Sequence, residues 1–182
     1  WVGQSDDGQV QRVDVKRGEV ETLFGTIHKA SVLNVIPPQR AGIITERAGV
    51  ADASGWVPVH PDGFESRQVK DIYVLGDATI AAPMPKSGFV ANVQGRMAAG
   101  VIAADLTGQL RPKPTYANTC YSLVAPGYAI SVSGLYAAKD DQLVELPGLG
   151  TSPLDADSAY RAQEASNSMG WYESITTEIW DQ

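Results

Sequence analysis

The chain has 182 residues, 43% hydrophobic and 19% charged, the balance of an ordinary globular protein with room for one full domain or parts of two. Fourteen Lys and Arg against twenty-one Asp and Glu leave a net charge of −7, which repels nucleic acid, and no basic stripe interleaves with aromatics. No stretch reaches the ~18 consecutive apolar residues of a membrane span, and one cysteine with two distant histidines excludes an internal disulfide and leaves no metal-ligand spacing.

The first residues, Trp1 to Asp7, have neither a basic n-region nor an apolar h-region, so no secretion signal is read there. Gln9 to Val15 alternates polar and apolar residues, the period of a half-buried strand. Gly18 and then Val20 to Gly25 complete a predicted hairpin. Ala30 to Ile36 is β-rich and mostly apolar, which predicts a strand buried on both faces and stopped by Pro37-Pro38. Opening on a strand edge suggests a truncated domain. His28 and His60 read as surface or turn residues, and neither joins a Ser-His-Asp or Cys-His constellation.

Arg40 to Gly49 predicts a short helix, Trp56 to Val59 an extended piece, and His60-Pro61-Asp62-Gly63 a turn. Val69 to Ala78 is the best local signal, an apolar strand ending abruptly in Gly76-Asp77. A Pro-rich loop leads to Lys86-Ser87-Gly88 and a helix over Phe89 to Leu106, with Phe89, Val93, Met97 and Val101 spaced by four and Gly108 as its stop. After a linker, Gln109 to Pro114, strands are predicted at Tyr121 to Val124, Tyr128 to Tyr136 and Val144 to Leu146. Asp155 or Asp157 caps a final helix running to about Trp180, with Tyr160, Trp171, Tyr172, Ile175 and Ile179 as its apolar face.

Two features point to a ligand. A parallel strand ending in Gly-Asp puts a carboxylate at the sheet edge where open α/β sheets bind ligands, and ionised Asp accepts strong hydrogen bonds from ribityl or ribose hydroxyls. Alone, Gly76-Asp77 is equally a strand running into an Asp-initiated turn. A helix opening at Lys86-Ser87-Gly88 offers unpaired N–H groups and positive potential, which would stabilise charge on a reduced flavin. By itself, Ser87 is equally an N-cap and Lys86 a solvated side chain.

Ile72-Tyr73-Val74-Leu75-Gly76-Asp77-Ala78 resembles the second FAD-binding motif of the disulfide reductase superfamily of flavoproteins. Val35 to Gly42, Ala82 to Gly88, Asn118-Thr119-Cys120-Tyr121-Ser122 and the Trp171-Tyr172 pair resemble, more narrowly, the flavoprotein subunit of flavocytochrome c sulfide dehydrogenases. The resemblance runs through nearly the whole chain and implies an α/β fold. Residues 1–45 would end an NAD-like domain, 46–112 would close the FAD domain with a strand and helix, and 113–182 would form a small α+β domain over the flavin that meets the cytochrome. It implies that Gly76 and Asp77 meet the ribityl and pyrophosphate part of FAD, and that Lys86, Ser87 and Gly88 lie by the isoalloxazine.

The resemblance further implies that Cys120 is half of a redox-active disulfide attacked by sulfide, its partner lying in an N-terminal half that this chain lacks. Trp171 would stand between flavin and haem, and Phe89 matches a position where a relative carries Tyr; both are equally core residues of their helices. The partner would be a cytochrome subunit bearing haem c, the location periplasmic, and no metal is expected on this chain. No Gly-x-Gly-x-x-Gly follows a first strand, so the isolated chain is expected neither to hold FAD tightly nor to oxidise sulfide. Two rival readings stay open: a sulfide:quinone oxidoreductase or NADH dehydrogenase-like flavoprotein, and a non-catalytic cytochrome-docking module.

Overall fold

A computed structural model describes residues 2–181. The chain divides into two compact units, residues 1–39 and 40–182, each with its own logic.

The first unit is an antiparallel meander of β1 (Val10–Asp14), β2 (Glu19–Thr22) and β3 (Ile27–Lys29). Val13 pairs with Val20 across the first turn, where Gly18 adopts φ +66°. A Cβ on Gly18 would stand 2.7 Å from the Ala30 carbonyl oxygen, so the turn needs glycine both for conformation and for room. The second turn is held by Asp7, whose carboxylate accepts from Thr22 Oγ1 at 2.6 Å, Thr26 Oγ1 at 2.8 Å and the Phe24 N–H at 3.0 Å.

The predicted hairpin is present, but the strand expected over Ala30 to Ile36 is not. The turn anchored on Asp7 brings Ile27 to Lys29 back against β2 instead, and the ladder closes with the Ala30 N–H on the Gly18 carbonyl at 3.0 Å. Residues 31–36 pair with no strand among the described residues, and Val32 and Ile36 are more than four-fifths exposed. An apolar, β-rich run forms a strand only where a neighbouring strand stands beside it, and composition does not show that.

The second unit combines small sheets with helices. Its elements are α1 (Ile43–Arg47), β4 (Val57–Pro58), β5 (Thr79–Ile80), α2 (Gly88–Thr107), β6 (Thr115–Ala125), β7 (Tyr128–Lys139), β8 (Gln142–Leu146) and α3 (Ser158–Trp180). β4 and β5 form one short parallel pair, and β6-β7-β8 an antiparallel meander. The architecture is mixed α/β, as expected.

Val69 to Ala78 is a correction. The segment is extended, but among the described residues its backbone ladder is limited to residues 64–66, through Ser66 N–H on the Ile72 carbonyl and Val74 N–H on the Phe64 carbonyl. Asp71 and Gly76 both take positive φ and break the run, and Gly76–Ala78 is a 3-10 turn leading into β5. Gly76-Asp77 therefore sits on a turn beside a two-residue parallel pair, and no long buried strand precedes it.

α2 is delimited as its caps dictate. Ser87 Oγ accepts from the Val90 N–H at 3.1 Å, and Gly108 ends the helix at φ +68°. Its buried stripe is Val90, Gln94, Ala98, Val101 and Ala104; of the predicted ridge, Val101 is in it and Val93 and Met97 are partly buried against the core. Small residues let it lie close over the turn at Gly63, where an added Cβ would stand 3.1 Å from Val101. The core beside it gathers Val50, Val57, Val59, Phe64, Met84, Val90, Tyr116 and Tyr136. Phe64 and Tyr116 meet edge to face at 5.3 Å, and the Tyr116 hydroxyl donates to the Pro61 carbonyl at 2.6 Å. Burial pushes that phenol's pKa upward, so it stays a donor.

α3 begins at Asp157, whose carboxylate accepts from the Tyr160 N–H at 2.8 Å. Its contact with the β6-β7 sheet is not the predicted aromatic face, for Tyr160, Tyr172 and Ile179 are exposed while Trp171 and Ile175 are half-buried. Arg161, Glu164 and Ala165 are buried in their place. Glu164 Oε1 accepts from Ser131 at 2.6 Å and Ser152 at 2.5 Å, and Arg161 Nη1 donates to Oε2 at 3.1 Å. Arg161 also donates to the Pro153 carbonyl. A charged pair is a poor apolar signal, yet here it joins α3 to β7 and to the loop before it.

Burial works against ionising Glu164, but the hydrogen bonds from Ser131, Ser152 and Arg161 and the guanidinium charge outweigh it and hold the carboxyl below the usual range. A depressed carboxyl pKa gives stability that is present above the unfolded value, ~4.3, and is lost as pH falls through the lower folded one. Glu164→Ala is expected to destabilise the chain by about 3 kcal/mol at neutral pH, leaving the Arg161 charge buried and unpaired. Urea denaturation should show the gap between variant and parent closing below about pH 4; a gap constant with pH would refute this account.

Candidate functional site

The two sequence stretches singled out for chemistry meet where α2 begins beside β6. Asn118 is 2% exposed, and its Oδ1 accepts from Ser87 Oγ at 2.8 Å. Its Nδ2 donates to Cys120 Sγ at 3.3 Å, and the Cys120 thiol faces the same Oδ1 at 3.6 Å. Because Ser87 is also the N-cap of α2, one hydroxyl links the positive end of that helix to the amide that touches the sulfur. Cys120 is a half-buried free thiol.

Strand geometry explains the grouping. Residues two apart share a face, so Tyr116, Asn118 and Cys120 line one side of β6, opposite Tyr136, Gly134 and Val132 of β7. A Cβ on Gly134 would stand 2.2 Å from the Tyr136 hydroxyl, so the Tyr136 ring fills the place of the missing side chain. Burial first, and then the negative charge of Glu145, pushes the Tyr136 phenol upward. The phenol is thus a neutral neighbour of the sulfur.

Lys86 lies ahead of Ser87, with its ammonium 3.8 Å from the centre of the Trp56 ring. It donates to the Thr79 carbonyl at 3.0 Å and to the Asp77 carbonyl. Burial lowers its pKa and the charge of Asp77 opposes that. Lys86 thus ties the Gly76-Asp77 turn to the start of α2, a role that its sequence position did not disclose. Gly76 has φ +67°, and its N–H donates to the buried Gln94 Oε1 at 2.6 Å. A pocket of about 210 Å³ lies between these pieces, lined by Trp56, Gly76, Thr79, Met84, Lys86 and Gln94 among others.

The two candidate aromatics, Phe89 and Trp171, stack on each other at 5.7 Å with their planes 17° apart. Farther along the same two helices, Arg96 Nε donates to Glu178 Oε1 at 2.9 Å. The two contacts fix the second half of α3 on α2. Asn118, Gln94, Trp56 and Tyr136 were not anticipated as site residues. The visible trace of Asn118 was a polar residue in phase with Tyr116 and Cys120.

The donors at the start of α2 suit an anion. Helix geometry leaves the first-turn N–H groups of α2 without intrahelical partners, and Ser87 satisfies only that of Val90. A side chain on Gly88 would meet nothing within 4 Å, so the helix start is open to approach. No group of three or more metal-ligating side chains is found among the described residues, and no described helix is long and apolar enough to cross a membrane.

An open helix N-terminus, a cation beside it and a thiol tied to it stand together here, and the family match that covers the thiol implies the class of oxidoreductase flavoproteins. Residues 112–180 match the family model described as flavocytochrome c sulphide dehydrogenase, flavin-binding. This C-terminal stretch is thus similar to the flavin-binding part of that family. The match takes in Asn118, Cys120 and Trp171, while Gly76, Asp77 and Lys86 to Phe89 precede it.

Gly134→Ala is expected to displace the Tyr136 ring and destabilise the chain by about 1–3 kcal/mol, the usual range for overpacking. Thermal unfolding would read it, and the double variant with Tyr136→Phe should recover part of the loss. An unchanged midpoint in Gly134→Ala would mean that the ring does not occupy that space.

Proposed function

We propose that this chain is the C-terminal portion of a flavoprotein that oxidises sulfide and passes the electrons to a cytochrome c subunit. The observation that carries the reading is Cys120, within the segment matched to the family, hydrogen-bonded through Asn118 to the N-cap of α2. Residues 1–45 then complete an NAD-like domain, 46–112 the FAD domain, and 113–182 cover the flavin and meet the cytochrome, in a periplasmic complex.

Cys120 is half of a disulfide whose other sulfur belongs to the N-terminal half of the flavoprotein. Sulfide attacks the bridge, the S–S bond breaks, one sulfur keeps the incoming sulfur as a persulfide, and the other leaves as a thiolate. When bound, FAD supplies an acceptor that takes two electrons and releases them singly to haem c. Gly76 and Asp77 would hold its ribityl and pyrophosphate part, and the N–H groups at Ser87 and Gly88 its isoalloxazine. Lys86 keeps these two pieces together and adds positive charge. Trp171, stacked on Phe89, lies along the path to the cytochrome; the ring face at Phe89 serves without a phenolic hydroxyl.

Two measurements test the reading. The purified 182-residue chain should be colourless and inactive with sulfide; a stoichiometric yellow preparation would overturn the division of the FAD site between two halves. In the full flavoprotein, Cys120→Ser should retain flavin yet lose sulfide-dependent bleaching of its visible absorbance by at least about a hundredfold, the scale of losing the attacking or leaving group. Bleaching at the parent's rate would remove Cys120 from the reaction.

A further inference from the structure

We propose that Asn118 is a positioning residue for Cys120, holding the sulfur at the start of α2 and serving it with one amide in both the thiol and thiolate states. The inference rests on the reading of Cys120 as the redox sulfur and adds a residue through which that sulfur is controlled.

A buried mid-strand position normally carries an apolar side chain, because burying an amide is costly unless both of its ends are bonded. Asn118 is 2% exposed, so its bonds have to account for it. Ser87 Oγ already accepts from the Val90 N–H at 3.1 Å and directs its proton to Asn118 Oδ1 at 2.8 Å. That leaves Nδ2 turned to Cys120 Sγ at 3.3 Å, so the orientation of the amide follows from the helix cap.

The chemistry suits a sulfur that changes state. An amide NH₂ can only donate, which is what a sulfur anion accepts, and hydrogen bonds to charged groups are the stronger kind. When the sulfur carries its proton, Oδ1 at 3.6 Å takes the weak S–H donation instead. The amide need not turn between the two. Gly134 opposite supplies no side chain of its own, and the Tyr136 phenol laid over it is the ionisable group of β7 near the sulfur. Asn118 is thus the ordered donor against Cys120.

The test uses this chain as it stands. Cys120 is its one cysteine, so iodoacetamide, an uncharged probe that reacts with the thiolate, reads it alone. Asn118→Leu removes the donor without adding charge, and Asn118→Asp replaces it with a carboxylate of the same shape. Both are expected to slow alkylation at neutral pH, Asn118→Leu by about tenfold, the worth of one hydrogen bond to a charged group. The ultraviolet thiolate absorbance, taken against a Cys120→Ser blank, should fall in parallel.

A purely structural Asn118 would loosen the packing on removal and expose the sulfur, so unchanged or faster alkylation overturns the proposal. If both variants fail to fold, Ser87→Ala decides, because it keeps the amide but frees its orientation: slower alkylation supports the proposal and an unchanged rate overturns it. These outcomes stand apart from the bleaching of the full flavoprotein. Slowed alkylation beside an active Cys120→Ser flavoprotein would retain the role of Asn118 and discard the redox reading. The reverse result would keep the reading and discard Asn118.

Discussion

A buried amide in the middle of a strand constrains what surrounds it. Asn118 must have an acceptor and a donor within reach, and the second unit supplies them from the start of α2 and from two residues along β6 itself. Ser87 can reach Oδ1 only because α2 starts there, and α2 starts there because the same hydroxyl caps it. The same helix lies close over the turn at Gly63, where the absence of a side chain leaves room for Val101. Core packing, helix start and sulfur position are therefore one arrangement viewed at three scales.

Charged side chains join elements here, whether buried, as in Arg161–Glu164, or exposed, as in Arg96–Glu178. Arg161 and Glu164 fix the first half of α3 on the sheet, while Arg96 and Glu178 fix its second half on α2 beside the Phe89–Trp171 stack. Lys86 does the same for the Gly76-Asp77 turn, setting its ammonium over Trp56 while donating to backbone carbonyls. Such pairs specify geometry more than they add stability, which suits a scaffold that must keep an aromatic pair and a thiol in fixed places.

What was legible in the sequence follows local chemistry. Ser87, Gly108 and Asp157 announced the ends of the two long helices because a cap is read from neighbouring residues alone. The first hairpin and the β6-β7 pair were legible from alternation and from the Pro126-Gly127 turn, although β6 runs six residues farther back than the reading placed it, to Thr115. Its buried positions include Asn118, so polarity masked the period. The failures were of one kind. Residues 30–36 and 69–78 have the composition of strands, but a strand requires a neighbour, and in each case the chain places a turn or solvent where the ladder would continue. The chemistry at Lys86, Ser87, Gly88 and Cys120 was named residue by residue, but their connection through Asn118 needed three dimensions.

The exposed run after β3 bears on how this chain behaves in company. Val32, Val35 and Ile36 lie open with backbone groups that pair with no described strand, the arrangement that lets separate molecules add to one another edge to edge. The run is short and is bracketed by Lys29 and by Pro37-Pro38. A lysine opposes stacking by charge, and two prolines carry no N–H with which to extend a shared ladder. The residues that end the segment as secondary structure are thus also its guard against self-association, and replacing the proline pair would alter solubility well before it altered the fold of either unit.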